Sequence, residues 1–267
     1  MTFPVSVGAS GQQAAEASAP RLRKYNLVVG LVHLVQGIIL VLLSNDFKLP
    51  VLMSFVDGPP GTKPSAPGVV WSVPIGIAVA VFIFFAAADH LLMAAPGIND
   101  WYMRNLREGI NRARWSEYSI SASLMMVLIA MVTGILDLNA LIAIFGANMA
   151  MIFFGLVMES VNPPDRKQVN WWPFIFGSIV GVVPWIAIAV QLVYTEQQTT
   201  GNGIPGFVYG IIVSLFLCFN SFAINMVLQY KRVGPWQSYE FGERVYILLS
   251  LIAKSLLAWQ IFANTLV

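Results

Sequence analysis

Residues 245–267 read VYILLSLIAKSLLAWQIFANTLV, an apolar run long enough to cross a bilayer as a helix, with one cation, Lys254, in its middle. Lys254 stands ten residues past Arg244, roughly 15 Å along a helix axis, so its ammonium reaches the headgroup layer only with difficulty. A lysine so placed either ties helices together through a buried ion pair or serves as an amine toward an aldehyde in a dry pocket. Both readings require an anion from elsewhere in the chain.

Working back from this run, six more apolar stretches appear, at about 25–43, 69–95, 115–135, 138–158, 172–194 and 207–228, with the last at 245–262. Hydrophobic residues make up 57% of the 267 and charged residues 10%, against about 45–50% and about 25% in soluble domains. Mean hydropathy is +0.72. The expectation is an all-α bundle of seven transmembrane helices, multi-pass in a cell membrane. Residues 1–24 read as a flexible tail without a cleavable signal, and 25–267 as one membrane domain. The long first connection, about 44–68, contains DGPPGTKPSAPG and must turn repeatedly, while LPVLMSFV fits either a short strand or a surface apolar patch. Pro74 lies near the start of the second run and Pro184 inside the fifth, where neighbouring helices can re-satisfy a freed carbonyl.

The net charge of +2 leaves no basic footprint for nucleic acid. The single cysteine, Cys218, excludes an intramolecular disulfide or a site of several thiolates. No HExxH, phosphate loop or GxSxG elbow points to an enzyme, and no ligand set points to a metal. Twelve lysines and arginines fall in the N-terminal tail and the connections on its side of the membrane, and only Lys48 and Lys63 on the other. The positive-inside rule therefore expects a cytoplasmic N-terminus and an extracellular C-terminus.

Few ionisable groups lie within the runs: His33, Asp89, His90, Glu117 and Lys254, with Asp137 and Glu159 at wetted boundaries. Glu117, in RARWSEYSISASLMM, is the leading partner for Lys254, although it is only two residues inside its apolar run, so that helix is expected to begin before Trp115. Asp89 is the rival, read with His90 near the outward end of span two and more in keeping with a boundary carboxylate. Ser121 and Ser250 each stand four residues from a charged neighbour, on the same helix face. His33 and Gln36 share a face of span one, and each histidine suits either a satisfied core position or a proton acceptor. Asn148, Asn220 and Asn225 fit helix–helix hydrogen bonds. Phe216, Phe219, Trp185, Met125 and Met151 are packing residues that would also suit the wall of a bound chromophore.

Seven spans, a lysine in the last and a glutamate opening the third resemble the microbial rhodopsins. The strings RWSEYSISASLM, LIAIFGANMAMIFFG, VPWIAIAV, PGFVYGIIVSLFLCFNSFA and GERVYILLSLIAKSLLAWQIF narrow the resemblance to the heliorhodopsins. That resemblance implies all-trans retinal on Lys254 as a Schiff base, with Glu117 as counterion and Arg114 as the arginine beside it. It also implies that His33 and His90 line a polar cavity that receives a proton, that Phe219 lies against the polyene, and that Tyr118 and Met151 are near the same pocket. An inverted topology with a cytoplasmic N-terminus, and a homodimer, are implied as well.

Ordinary proton pumps carry a carboxylate eleven residues after the counterion and another four before the lysine; here those places hold Leu128 and Ser250. The expectation is a non-pumping sensory or regulatory photoreceptor acting on a signalling partner. The alternative is a light-driven ion or proton transporter or channel with an unconventional path, and a retinal-free scaffold is a third reading.

Overall fold

The computed structural model of the chain describes residues 9–199 and 203–265. In chain order the elements are α1 (Ala9–Leu43), β1 (Lys48–Met53), β2 (Gly68–Pro74), α2 (Ile75–Ala94), α3 (Ile98–Arg107), α4 (Arg112–Val132), α5 (Leu138–Ser160), α6 (Trp172–Gln198) and α7 (Gly206–Tyr230), then a 3-10 turn (Gly234–Gln237) and α8 (Tyr239–Thr265). Seven of the helices are long and apolar enough to span a membrane, and they match the seven runs of the sequence. The fold is a multi-pass seven-helix bundle.

Helix α1 begins at Ala9, inside the segment expected to be a flexible tail, because ASGQQAAEASA is rich in good helix formers. Residues 1–8 of that expected tail lie outside the described residues. Helix α4 begins at Arg112, ahead of Trp115 as expected, capped by the Asn111 side chain, which accepts from Arg114 N–H at 3.0 Å.

The second span is shorter than its apolar run. Residues 69–74, VVWSVP, are β-branched and aromatic and pair as β2 with β1, antiparallel, with a register shift between Val51 and Leu52. Pro74, which lacks an N–H, ends the strand and caps α2. The short strand expected in LPVLMSFV is therefore one arm of a hairpin. Val51 is 2% exposed and packs into the main core, while Leu52 N–H donates to Leu136 O at 2.8 Å, fastening the hairpin to the α4–α5 connection.

Helices α1 and α2 pack antiparallel and close. A Cβ on Gly30 would lie 2.8 Å from the Leu91 side chain, and one on Gly37 2.5 Å from the Phe84 ring. Small residues bring membrane helices together in this way, since lipid supplies no hydrophobic drive for association.

The core beneath the hairpin is apolar: Leu40, Ile83, Leu128, Ile129, Leu257 and Ile261 are each at most 1% exposed there. Polar groups gather toward the opposite end, where α1 begins and α8 enters.

A lysine–carboxylate pair at the end of an apolar cavity

Lys254 is held near the middle of α8 and Glu117 near the start of α4. The lysine side chain runs back along its helix, as helical side chains do, and Nζ donates to Glu117 Oε1 at 2.7 Å and Oε2 at 2.9 Å. The two side chains are 5% and 7% exposed. Lys254 Nζ also stands 5.0 Å from the centre of the Tyr118 ring. A buried ammonium is thus matched by a two-oxygen carboxylate and an aromatic face, a combination that lowers the cost of holding charge away from water.

Lys254 lines a cavity of about 300 Å³ between α4, α5, α6, α7 and α8, and Glu117 reaches its ammonium from beyond the lining residues. Tyr118, Met125, Met151, Trp185, Phe216 and Phe219, all named from sequence, line it. The Trp185 ring meets Phe216 and Phe219 edge-on at 5.2 and 5.4 Å between centroids. Sequence reasoning missed Phe222 and Tyr246, whose rings also reach the wall, and the glycines that let helices approach it. At Gly181 a Cβ would lie 2.3 Å from Met151 Sδ, and at Gly155 2.3 Å from the Trp115 ring. No spacing rule marks these glycines, because their function depends on which neighbour crosses them.

Around the pair, the hydroxyl of Ser121 is buried without a partner, and that of Ser250, beside the Tyr118 phenol, makes no well-formed hydrogen bond. His33 and His90 stack with ring centroids 5.8 Å apart and planes 11° apart. His90 Nδ1 and Asn26 Oδ1 lie 2.8 Å apart, whereas both nitrogens of His33 lack a partner among the described residues. Gln36, one turn along α1, accepts from the Ser255 hydroxyl at 2.9 Å. Buried donors and acceptors left open in this way are where water would bridge.

Three expectations change. Asp89 and His90 lie at the end of α2 opposite the hairpin, beside α1, the end that the lysine and arginine distribution assigns to the cytoplasm and not to the outside. Glu159 is 2% exposed and no wetted boundary group. Asn220 donates to Phe216 O in its own helix; Asn148 and Asn225 do bond across helices, to Ser123 and to Gly242 O.

Arg114 also departs from its expected place. Its guanidinium pairs with Glu159 at 2.5 Å and with Glu243, not with Glu117. Asn111 Nδ2 donates to Glu243 at 2.5 Å, Tyr102 OH to Glu243 at 3.0 Å, Trp115 Nε1 to Glu159 at 2.5 Å and Tyr239 OH to Glu159 at 3.0 Å. This second network fastens α3, α4, α5 and α8 at the end away from the hairpin. Burial and the neighbouring Glu243 carboxylate push the Tyr102 phenol well above its ordinary range. Tyr246 joins the two networks: its ring lies 3.9 Å from the Arg114 guanidinium carbon, and its carbonyl accepts from Tyr118 OH at 3.3 Å.

Comparison with known proteins follows the same lines. No curated protein matches the sequence. Among solved structures, the chain is similar to a light-driven proton pump from Leptosphaeria maculans, at 14% identity and a TM-score of 0.59, covering 98% of this chain and 99% of that one. It is also similar to a thermophilic rhodopsin from Rubrobacter xylanophilus, at 12% identity and a TM-score of 0.57, covering 91% of this chain and 96% of that one. At such identities the likeness establishes a shared fold, that of the microbial rhodopsins. The sequence profile of the heliorhodopsins matches residues 22–266, nearly the whole length, and the chain belongs to the heliorhodopsin family.

Proposed function

We propose that the chain is a non-pumping light sensor that carries all-trans retinal on Lys254, with Glu117 as the counterion. The observation that carries this reading is that Lys254, held by Glu117, lines an aromatic-walled apolar cavity. The residues present suit the group: an amine at one end, flat and polarizable side chains along the wall, and open hydroxyls where water can sit beside a charge. Retinal, when bound, supplies light absorption and a change of shape.

The protein supplies the rest. Lys254 Nζ holds the group, and Glu117 favours the protonated nitrogen by proximity of opposite charge. Trp185, Phe216 and Phe219 restrict the cavity sideways, while Met125 and Met151 fill its irregular margins. Ser121, His33 and His90 offer a proton a place to go within the same half of the bundle. Toward the hairpin, Leu128, Ile129, Leu257 and Ile261 offer none. That one-sidedness supports sensing over transport, with the polar half facing the cytoplasm by the lysine and arginine distribution, and with a signalling partner met there. A homodimer accords with the family.

The test is a visible spectrum of purified protein given all-trans retinal, read before and after hydroxylamine under light. A visible band that bleaches and that Lys254→Ala lacks is expected. Folded protein without such a band, or a Lys254→Ala variant that keeps it, overturns the assignment.

A further inference from the structure

Among the described residues, helix α3 is the one helix of more than two turns that does not span, and the proposed light-sensing function gives it no part. Its inner face, Asn99, Tyr102, Met103, Asn105 and Leu106, is buried against α1, α2 and α8. Its outer face is divided. Ile98 and Trp101 are 37% and 39% exposed along one edge, and Arg104 and Arg107 project along the next. Leu92, in the last turns of α2 and six residues before Ile98, is 49% exposed, so the spanning helix also turns an apolar side chain outward close to where α3 begins.

The charges are lopsided. Arg23 Nε donates to Ala94 O at 2.9 Å, and Leu22 packs in the same cluster as Tyr102 and Leu106, which brings the start of the first span beside α3. Arg21, Arg23 and Lys24 are exposed there. Among the described residues, none of these three, nor Arg104 or Arg107, has a carboxylate within ion-pair distance, and Arg107 Nε has no hydrogen-bond acceptor. Glu108 is already paired with Arg112 at 3.4 Å, leaving Asp100 as the exposed acid of the helix.

We propose that α3 is a membrane-surface helix whose Arg104 and Arg107, with the basic start of the first span, bind the headgroups of anionic phospholipids, while Ile98 and Trp101 enter the acyl boundary. An indole and a branched aliphatic beside two guanidiniums, at the level where a spanning helix ends, form the pattern of an interfacial anchor. A guanidinium fork matches the phosphate of a headgroup. An acidic protein would complement the charge equally well but leaves the exposed Ile98 and Trp101 beside the arginines unexplained. The inference does not depend on retinal.

The test is native mass spectrometry of the full chain in detergent, titrated with dioleoyl phosphatidylglycerol or dioleoyl phosphatidylcholine. Phosphatidylglycerol is expected to be retained at least about tenfold more tightly, and Arg104→Gln with Arg107→Gln to weaken it about fivefold per charge removed, leaving phosphatidylcholine unchanged. Arg104→Lys with Arg107→Lys keeps the preference. Arg104→Gln alone, at an exposed position that folding does not need, gives the smaller, single step. Equal binding of the two lipids overturns the proposal, as does an unchanged preference in the Gln variants. An equal loss on Lys231→Gln with Arg232→Gln, elsewhere on the same rim, makes the effect a diffuse rim charge and overturns the site. Polyglutamate bound in preference to phosphatidylglycerol turns the face over to a protein partner.

Discussion

Lys254 and Glu117 stand 137 positions apart in sequence, yet both were legible because ionised groups are rare inside apolar runs and each must find an opposite. Their neighbours were legible to different degrees. Ser121 and Ser250 follow from four-residue spacing, but Arg114 was misplaced, since spacing along α4 says nothing of the two carboxylates that α5 and α8 bring to it. In protein loaded with retinal, Glu117→Gln is expected to move the visible band, since the opposite charge beside the nitrogen is removed; the absorption spectrum of the variant checks it, and an unmoved band counts against Glu117 as counterion. Tyr102 gives a second test, outside the spans. Its phenol is raised in the folded state, so the stability it supports is complete below its unfolded value of about 10 and is lost as pH climbs toward the folded one. Tyr102→Phe is expected to cost about 1 kcal/mol at neutral pH through the lost bond to Glu243, and to make the alkaline fall in thermal midpoint shallower.

At the scale of elements, periodicity and apolar length found all seven spans, and proline marked one boundary, at Pro74, only in retrospect. The run 69–95 misled because VVWSV is as apolar as a membrane helix; only its pairing with β1 distinguishes it. Helix α3 was hidden for the opposite reason, being too short and too polar for a span while burying one face on three others. The contact of α5 with α4 rests on Gly155, where a methyl would collide with the Trp115 ring. Gly155→Ala is expected to destabilise the protein by about 1–3 kcal/mol and to push the indole from the cavity wall. It also strains the Trp115 bond to Glu159. Differential thermal unfolding and the visible band of the variant report the two effects separately.

The whole molecule is polarised along its axis. From the hairpin to the level of Lys254 its centre is mostly apolar, the part-buried Ser214–Gln260 hydrogen bond being a polar exception; from Lys254 to the far end it holds two histidines, a lysine–glutamate pair and an arginine between two glutamates. Charge counts in the connections pointed to sidedness, whereas the inner seal emerged only once Val51 was seen folded into the bundle. Illuminated cells or proteoliposomes are expected to show no sustained, protonophore-sensitive pH change, while retaining full photochemistry. A steady current would require a path through the aliphatic layer.

In the proposed sensor, Val51 and the residues packed beneath it make the polar half of the bundle a cul-de-sac. A proton displaced by light from the nitrogen on Lys254 would return by the way it left, so that each turnover would sum to zero and do no work on a gradient. Such a molecule would keep time: the interval during which the charge is away from home would be the length of the message, and tightening or loosening that single passage would lengthen or shorten the memory of a flash.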